Sequence, residues 1–97
     1  MARLLRRPVA LQDLSNIWLT IALDNPNAAD RVASRIYDAE ERLAAFPELG
    51  RLRPELLTNL RSWAVGDYII FYQATSDAVE ILRILHGARD LGDLLGD

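Results

Sequence analysis

The spacing of apolar residues changes once along the chain, and this change constrains the fold more than any other sequence feature. Between residues 9 and 46, apolar residues recur every three or four positions, which is typical of amphipathic helices. Between residues 60 and 85 the period is two, which is typical of strands. A chain of 97 residues, 51% hydrophobic and 26% charged, is long enough for one core. We therefore expect a single α+β domain over residues 1–97.

The first half of the chain predicts two helices joined at Asp24-Asn25-Pro26. The second helix should begin there, because asparagine caps free amides and proline is tolerated at the first helical position. It should end near Phe46, since Pro47 disfavours helical geometry in the residue before it. Asp38 and Arg42 lie one turn apart and could pair. The apolar stripes are Leu11, Leu14, Ile17, Trp18 and Ile21 on the first helix, and Ala29, Val32, Ile36, Ala39, Leu43 and Phe46 on the second. The short break predicts an antiparallel helix hairpin.

The remaining segments predict four strands, at residues 3–6, 60–65, 68–73 and 79–85. Gly66-Asp67 is a two-residue turn in which glycine supplies a positive φ. Residues 47–54 form a turn-rich crossover, followed by one helical turn at 55–57, and a short C-terminal helix is expected at 91–95. The predicted order is β-α-α-β-β-β, with the helix hairpin packed on an antiparallel sheet.

Both faces of this sheet are apolar in the sequence. Residues 69–72 are apolar at both parities, whereas a sheet wetted on one side should alternate more regularly. We therefore expect the face away from the helices to be covered by the C-terminal segment or by another protein. The residues assigned to this contact are Ile69, Phe71, Val79 and Ile81.

Charge and composition argue against several classes of function. All eleven basic residues are arginine, and the net charge is −3, which argues against direct binding of nucleic acid through phosphates. The chain has no cysteine, no phosphate-binding glycine loop and no metal-ligand spacing, so no cofactor or metal is expected. No apolar run is long enough for a membrane span, and no signal peptide is recognisable. A cytoplasmic location is expected.

Several segments, in order, resemble the RelE/ParE superfamily of toxins. They are Pro47-Glu48-Leu49-Gly50-Arg51, Leu60-Arg61-Ser62, Val65 to Tyr72 and, most distinctively, the stretch Val79 to Asp90; Asn25-Pro26 and the apolar positions of the first helix also fit. The resemblance implies the predicted fold and a toxin held inactive by a cognate antitoxin, expected to be of the ribbon-helix-helix type. That antitoxin, rather than the toxin, would bind DNA.

The resemblance leaves three functions open. Toxins of the ParE branch block DNA gyrase by protein contact without catalysis, and the absence of lysine favours this branch here. Toxins of the RelE branch cleave mRNA on the ribosome as metal-independent endoribonucleases. The third alternative is a family member that binds antitoxin but is not toxic.

The candidate target-binding residues are Arg61, Trp63, Arg83, His86 and Arg89, expected on the open side of the sheet and the C-terminal segment. If the chain were a nuclease, Arg61 and Arg83 would stabilise the phosphorane and His86 would serve as the acid. Each residue also has a structural interpretation. Arg83 could pair with an acid such as Glu80 or Asp90, and His86 could order a turn.

Overall fold

Two helices lie on one side of a five-stranded sheet in the computed structural model, which describes residues 2–87. The elements are β1 (Arg3–Arg6), α1 (Pro8–Ala22), α2 (Pro26–Ala45), β2 (Arg51–Leu52), β3 (Leu60–Val65), β4 (Tyr68–Ala74) and β5 (Ala78–His86). The strand order in the sheet is β1-β5-β4-β3-β2. The predicted α+β class and the order of helices and main strands are confirmed. The predicted C-terminal helix and Arg89 lie outside the described residues.

The helix hairpin forms as Asn25-Pro26 at its turn predicts. The Asn25 side chain accepts a hydrogen bond from the Ala28 amide at 3.1 Å, and Pro26 is the first residue of α2. Leu14, Ile36 and Leu43 are buried against the sheet. Phe46 is not, because α2 ends one residue earlier and leaves its side chain 62% exposed. Asp38 and Arg42 form no ion pair in the described part of the chain.

The sheet is mixed rather than antiparallel, which corrects the prediction. β1 pairs in parallel with β5, with Arg3 opposite Ala78 and Arg6 opposite Ile81. The other pairs, β2–β3, β3–β4 and β4–β5, are antiparallel. No turn connects β1 to β5, and a short apolar pattern looks the same in either direction. The sequence therefore gives no strand direction at this edge.

Apolar side chains pack on both sides of the sheet. On the helix side, Ile70, Tyr72, Val79, Ile81 and Ile84 join the buried residues of α1 and α2. On the opposite side, which we call the far face, Leu60, Phe71, Leu82 and Leu85 form a second buried cluster, with Leu56 and Ile69 packed against it. These four cluster residues are at most 4% exposed within the chain itself. The far face is therefore not an open apolar surface at these positions.

A β-bulge explains why β5 is apolar at both parities. The register places Phe71 opposite Arg83 and Tyr72 opposite Ile81, so Leu82 is the extra residue. The bulge changes the parity of β5, so that Ile81 and Ile84 both join the helix-side core. Leu82 and Leu85 meanwhile pack on the far face.

The crossover from α2 to β3 differs from the prediction in one detail. Residues 51–52 form the short strand β2, which pairs with Arg61 and Ser62. The single turn expected after it is present, because the Leu56 and Leu57 amides both bond to the Arg53 carbonyl, at 3.0 and 3.2 Å. Gly66 has φ +57, as the tight turn between β3 and β4 requires.

Candidate functional site

Arg83 is held by an ion pair with α1. Its Nε and Nη2 donate to the two carboxylate oxygens of Asp13 at 2.8 and 2.9 Å, and the side chains are 22% and 11% exposed. One of these oxygens also accepts the Ile84 amide at 3.0 Å, beyond the point where β1 stops pairing with β5. The structural interpretation of Arg83 is thus supported, although the acid is Asp13. Glu80 pairs instead with Arg7, at 3.3 Å.

Arg61 binds the crossover. Its Nη1 donates to the carbonyl oxygens of Gly50 at 2.7 Å and Glu48 at 3.3 Å. Next to it, the buried Tyr72 hydroxyl accepts the Gly50 amide at 2.8 Å and donates to the Pro47 carbonyl at 2.7 Å. Burial raises the pKa of Tyr72, so this hydroxyl stays protonated as a donor. The two side chains together fix the path of residues 47–50.

Gly50 is required by this arrangement. A Cβ at position 50 would lie 2.4 Å from the Tyr72 hydroxyl oxygen, which is closer than real contacts allow. This role of Tyr72 is not predicted from the sequence. The available signals were a glycine, Gly50, in a proline-rich crossover and a tyrosine, Tyr72, on a central strand. No sequence pattern shows that these two residues meet.

His86 lies far from Arg61. His86 is opposite Tyr68 across the β4–β5 pair, and the two rings meet edge to face at a centroid distance of 5.4 Å. Arg61 is opposite Tyr72, four residues further along β4, which corresponds to about 13 Å along the strand. The structure therefore does not bring Arg61, Arg83 and His86 together as the nuclease interpretation requires. Arg83 is directed to α1 instead.

Arg61 and Trp63 are on the helix side of the sheet, which corrects the expected open-side placement. Trp63 packs against the helix-side core. It also lines a cavity of about 270 Å³ between α2 and β3, together with Arg35 and Arg42. Arg61 lines a second cavity of about 290 Å³ with Pro47 and Leu52. The prediction that the two residues share one face of β3 is right, but the face is the opposite one, because the apolar pattern does not distinguish the two faces.

The four residues expected to contact the antitoxin do not share a face. Phe71 and Ile69 are on the far face, whereas Val79 and Ile81 belong to the helix-side core. Phe71, Val79 and Ile81 are fully buried. The expectation of a common exposed surface is therefore wrong, and the bulge in β5 is the physical reason. Their antitoxin-binding role stays a prediction.

The helix hairpin carries an apolar groove that includes Leu11 and Trp18 of the predicted apolar stripe. This groove of about 400 Å³ runs between α1 and α2, lined by Leu11, Leu14, Ser15, Trp18, Leu19, Ala33 and Tyr37. Leu19 and Tyr37 are 57% and 44% exposed. The Trp18 Nε1 donates to Asp30 at 2.8 Å, which links the two helices at one end of the groove.

Glu40 is buried on α2 and pairs with β1. The Arg6 Nε donates to Glu40 Oε1 at 2.8 Å, and the Arg6 Nη2 lies 2.7 Å from the same oxygen as an ion pair. Burial raises the pKa of Glu40, and the hydrogen bond from Arg6 lowers it in part. Glu40 Oε2 has no hydrogen-bond partner among the described residues. The sequence does not reveal this pair, because Glu40 falls beside a run of exposed charges on α2.

Comparison with known proteins decides the family. The family model described as "ParE toxin of type II toxin-antitoxin system, parDE" matches residues 4–91. The chain belongs to the ParE toxin family. It is therefore a toxin of the type II toxin–antitoxin class within the RelE/ParE superfamily, as the resemblance implied.

Relatives of this ParE family chain carry both ParE and RelE names. "Toxin ParE3" of Caulobacter vibrioides is 37% identical over 98 residues, with 99% of this chain and 97% of that protein covered. "Toxin RelE2" of the same organism is 41% identical over 80 residues, covering 82% and 89%. The solved structure "Chromosomal ParDE TA system from P. aeruginosa" superposes with a TM-score of 0.76 at 21% identity, covering 90% of this chain and 97% of that chain. This last likeness shows the fold.

The described residues of this ParE family chain contain neither a metal-binding cluster nor a membrane-spanning helix. Among residues 2–87, no three His, Cys, Asp or Glu side chains cluster closely enough to hold a metal ion. Within the same range, neither helix has the length and apolar character needed to cross a membrane. What the described surface does offer is arginine-lined cavities and an apolar helix groove, which suit protein contacts.

Proposed function

We propose that the chain inhibits DNA gyrase by protein–protein contact and that a cognate antitoxin neutralises it. The observation that carries the proposal is the position of Arg83. Its guanidinium donates twice to Asp13, while Arg61 is occupied by crossover carbonyls. Cleavage of RNA without metal needs cationic groups that converge on a phosphate. Arg61, Arg83 and His86 do not converge in this way, which supports the ParE-type activity over the RelE type.

The antitoxin partner follows from the family. The matching family is described as the toxin of the parDE system, in which toxin and antitoxin occur together. We propose a ribbon-helix-helix antitoxin that binds DNA on behalf of the complex. Because gyrase acts on the bacterial chromosome, the toxin would work in the cytoplasm. The negative net charge of −3 agrees with contact to protein rather than to nucleic acid.

The target surface that we propose is centred on β3. Trp63 lies partly exposed there, and Arg61 lines the neighbouring cavity. Tryptophan and arginine are the residue types that contribute most to protein interfaces. His86 and Arg89 remain proposed contributors, whereas the Arg83 side chain is held by its ion pair with Asp13.

A supercoiling assay with purified toxin tests the proposal. Wild-type protein at micromolar concentration should inhibit gyrase, and Trp63→Ala should weaken inhibition about tenfold or more, the loss expected of an interface hot spot. Tyr37→Ala, at an exposed aromatic position in the groove between α1 and α2, is the matched control and should inhibit normally. Full gyrase activity at saturating wild-type toxin would refute the proposal.

Ribosome-dependent mRNA cleavage is the second candidate function. It is favoured by the 41% identity to a relative named RelE2. To test this, the purified toxin is incubated with translating ribosomes and the mRNA is examined for cleavage. This function predicts cuts at specific positions, which Arg61→Ala abolishes. A third possibility, an antitoxin-binding chain without toxicity, predicts unaffected growth when the chain is expressed alone.

A further inference from the structure

The exposed side of α1 carries no charge. Every exposed residue between Pro8 and Leu23 is uncharged, and the single charged residue of the helix, Asp13, is paired with Arg83 at 2.8 Å. α2 differs, because it exposes charged residues such as Arg35 and Glu41. A helix that faces water normally carries charges on that side, whereas the centre of a protein interface is depleted of them. The exposed side of α1 therefore has the composition of an interface.

A row of three leucines and one serine follows this side at intervals of four residues. We call Leu11, Ser15, Leu19 and Leu23 the α1 ridge. Its leucines are 49%, 57% and 90% exposed. Leu23 keeps helical backbone angles, with φ −56 and ψ −34, so the row continues through the C-cap. The α1 ridge is about 18 Å long. Rows at this spacing are the ridges that pack into the grooves of a second helix.

The α1 ridge also borders the groove between α1 and α2. Leu11, Ser15 and Leu19 belong to both, and the groove has a volume of about 400 Å³. On the α2 side the groove is lined by Ala33 and Tyr37, which are uncharged as well. A surface that offers a ridge and a groove side by side can exchange both with a two-fold copy of itself. Such an isologous contact is the commonest arrangement in protein dimers.

The order of side chains along the α1 ridge is self-complementary. In an antiparallel pair centred between Ser15 and Leu19, Leu11 meets Leu23 of the second copy. Ser15 then meets Leu19 of the second copy, and both contacts are repeated across the two-fold axis. A large residue opposite a small one lets facing helices interdigitate. The one small residue of the ridge is therefore at the position that self-association requires.

We propose that two copies of the chain associate through their α1 ridges about a two-fold axis. Charge favours a second copy over a different partner. Each copy has a net charge of −3, so two copies repel one another unless they meet where no charge is exposed. α1 provides such a surface. A different partner is usually selected by complementary charges, and the exposed side of α1 has none to offer.

The size of the contact sets its strength. A standard protein interface buries about 800 Å² on each partner, and a single ridge 18 Å long with the adjoining groove buries less. We therefore expect a dissociation constant of about 1 to 100 µM. Monomer and dimer would then coexist at the concentrations of an ordinary binding assay.

The dimer leaves the proposed target surface uncovered. All residues that line the groove are on α1 and α2, whereas Trp63 is on β3. A dimer would thus present two copies of the β3 surface. Self-association and target binding are separable, so the inference goes beyond the proposed function and does not depend on it.

Sedimentation equilibrium of the purified chain tests the contact. Wild-type protein is measured from about 1 to about 200 µM beside Leu19→Arg, which places a charge at the centre of the α1 ridge. Leu57→Arg is the matched control, because Leu57 is a 48% exposed leucine of the crossover outside the ridge. We expect Leu19→Arg to raise the dimer dissociation constant about tenfold or more and Leu57→Arg to change it less than about twofold. Thermal unfolding confirms that each variant is folded.

A charge-pairing experiment tests that the partner is a second copy in the stated register. Ser15→Glu alone should also weaken the dimer, because its carboxylate meets Leu19 of the second copy. When Ser15→Glu is mixed with Leu19→Arg, the new carboxylate faces the new guanidinium, and the other Ser15–Leu19 contact is unchanged. The mixture should associate at least about tenfold more tightly than either variant alone. A mixture of Ser15→Glu with Leu57→Arg should show no such gain.

The outcomes decide the inference. A wild type that remains monomeric up to the highest concentration overturns it. It is also overturned if Leu19→Arg dimerises as well as the wild type, because the contact then lies elsewhere. If the two charged variants fail to associate when mixed, the α1 ridges do not meet and the inference is wrong. If a monomeric wild type binds the antitoxin and Leu19→Arg does not, a different protein covers α1 and the inference is wrong.

Discussion

Asp13 restricts the contacts that the Arg83 side chain can make. A guanidinium that donates twice to one largely buried carboxylate has little freedom to approach a partner molecule. The same carboxylate accepts the Ile84 amide at the end of the β1–β5 pair. Loss of toxicity in an Arg83 variant could therefore reflect loss of folding, and stability must be measured beside activity.

We predict that Asp13→Ala destabilises the fold by about 2–4 kcal/mol, because it leaves a largely buried arginine and a backbone amide without their acceptor. Asp13→Asn keeps an acceptor and should cost less. Urea unfolding of both variants gives the comparison. The exposed neighbour Gln12→Ala is the control, with an expected change within about 0.5 kcal/mol. A cost for Asp13→Ala equal to the control would contradict the role of Asp13.

Glu40 gives the fold a dependence on pH whose sign follows from its burial. Burial is the largest influence on this carboxyl and raises its pKa above the ordinary value of 4.5. The folded protein therefore retains this proton to a higher pH than the unfolded chain does. The contribution of Glu40 to stability is complete below about pH 4.5 and is lost as pH rises through its folded pKa.

We predict that Glu40→Gln gains stability relative to the wild type between pH 4.5 and pH 7. Glutamine is uncharged and keeps an oxygen for Arg6, so it avoids the cost of a buried charge as pH rises. Urea unfolding at the two pH values gives the difference in free energy of unfolding. Glu41→Gln, at the exposed next position, should show no such trend. The prediction would be contradicted if the free energy of unfolding of the wild type rose relative to that of Glu40→Gln between pH 4.5 and pH 7.

Among the elements, α2 begins at a position that is determined by the residues next to it in the sequence. The Asn25 side chain holds the Ala28 amide, and Pro26 fixes the first helical turn. We predict that Asn25→Ala destabilises the fold by about 1 kcal/mol through loss of this cap. Asn27→Ala, two residues away and exposed, should change stability by less than about 0.5 kcal/mol. Thermal unfolding of the pair distinguishes a cap from a general effect of asparagine.

The elements that the sequence predicts are those specified by neighbouring residues. The helix hairpin follows from Asn25-Pro26, and the β3–β4 hairpin follows from Gly66-Asp67. The parallel pairing of β1 with β5 and the bulge at Leu82 join segments far apart in the chain. Their geometry depends on packing between elements, which no local pattern contains.

At the scale of the whole molecule, the same limit explains the errors about the site. The apolar residues of β4 and β5 indicated two covered faces but did not show which face each residue joins. Arg61 and Trp63 were correctly placed together on one strand, yet their side depends on where the hairpin packs. The partner of Arg83 is 70 positions away in the sequence. Only the folded chain brings Asp13 to it.

In the folded chain the helix hairpin carries accessible apolar side chains that the far-face cluster lacks, and this can be measured. Leu19 and Leu23 are 57% and 90% exposed, whereas the far-face cluster is at most 4% exposed. We predict that Leu19→Gln/Leu23→Gln lowers binding of an apolar fluorescent dye to the isolated toxin and reduces its self-association. Unfolding stability should change by less than about 1 kcal/mol, because the two side chains bury little surface. Leu5→Gln, an exposed leucine on β1, is the control. Dye binding that is unchanged in the double variant would contradict the prediction and show that the dye binds another part of the surface.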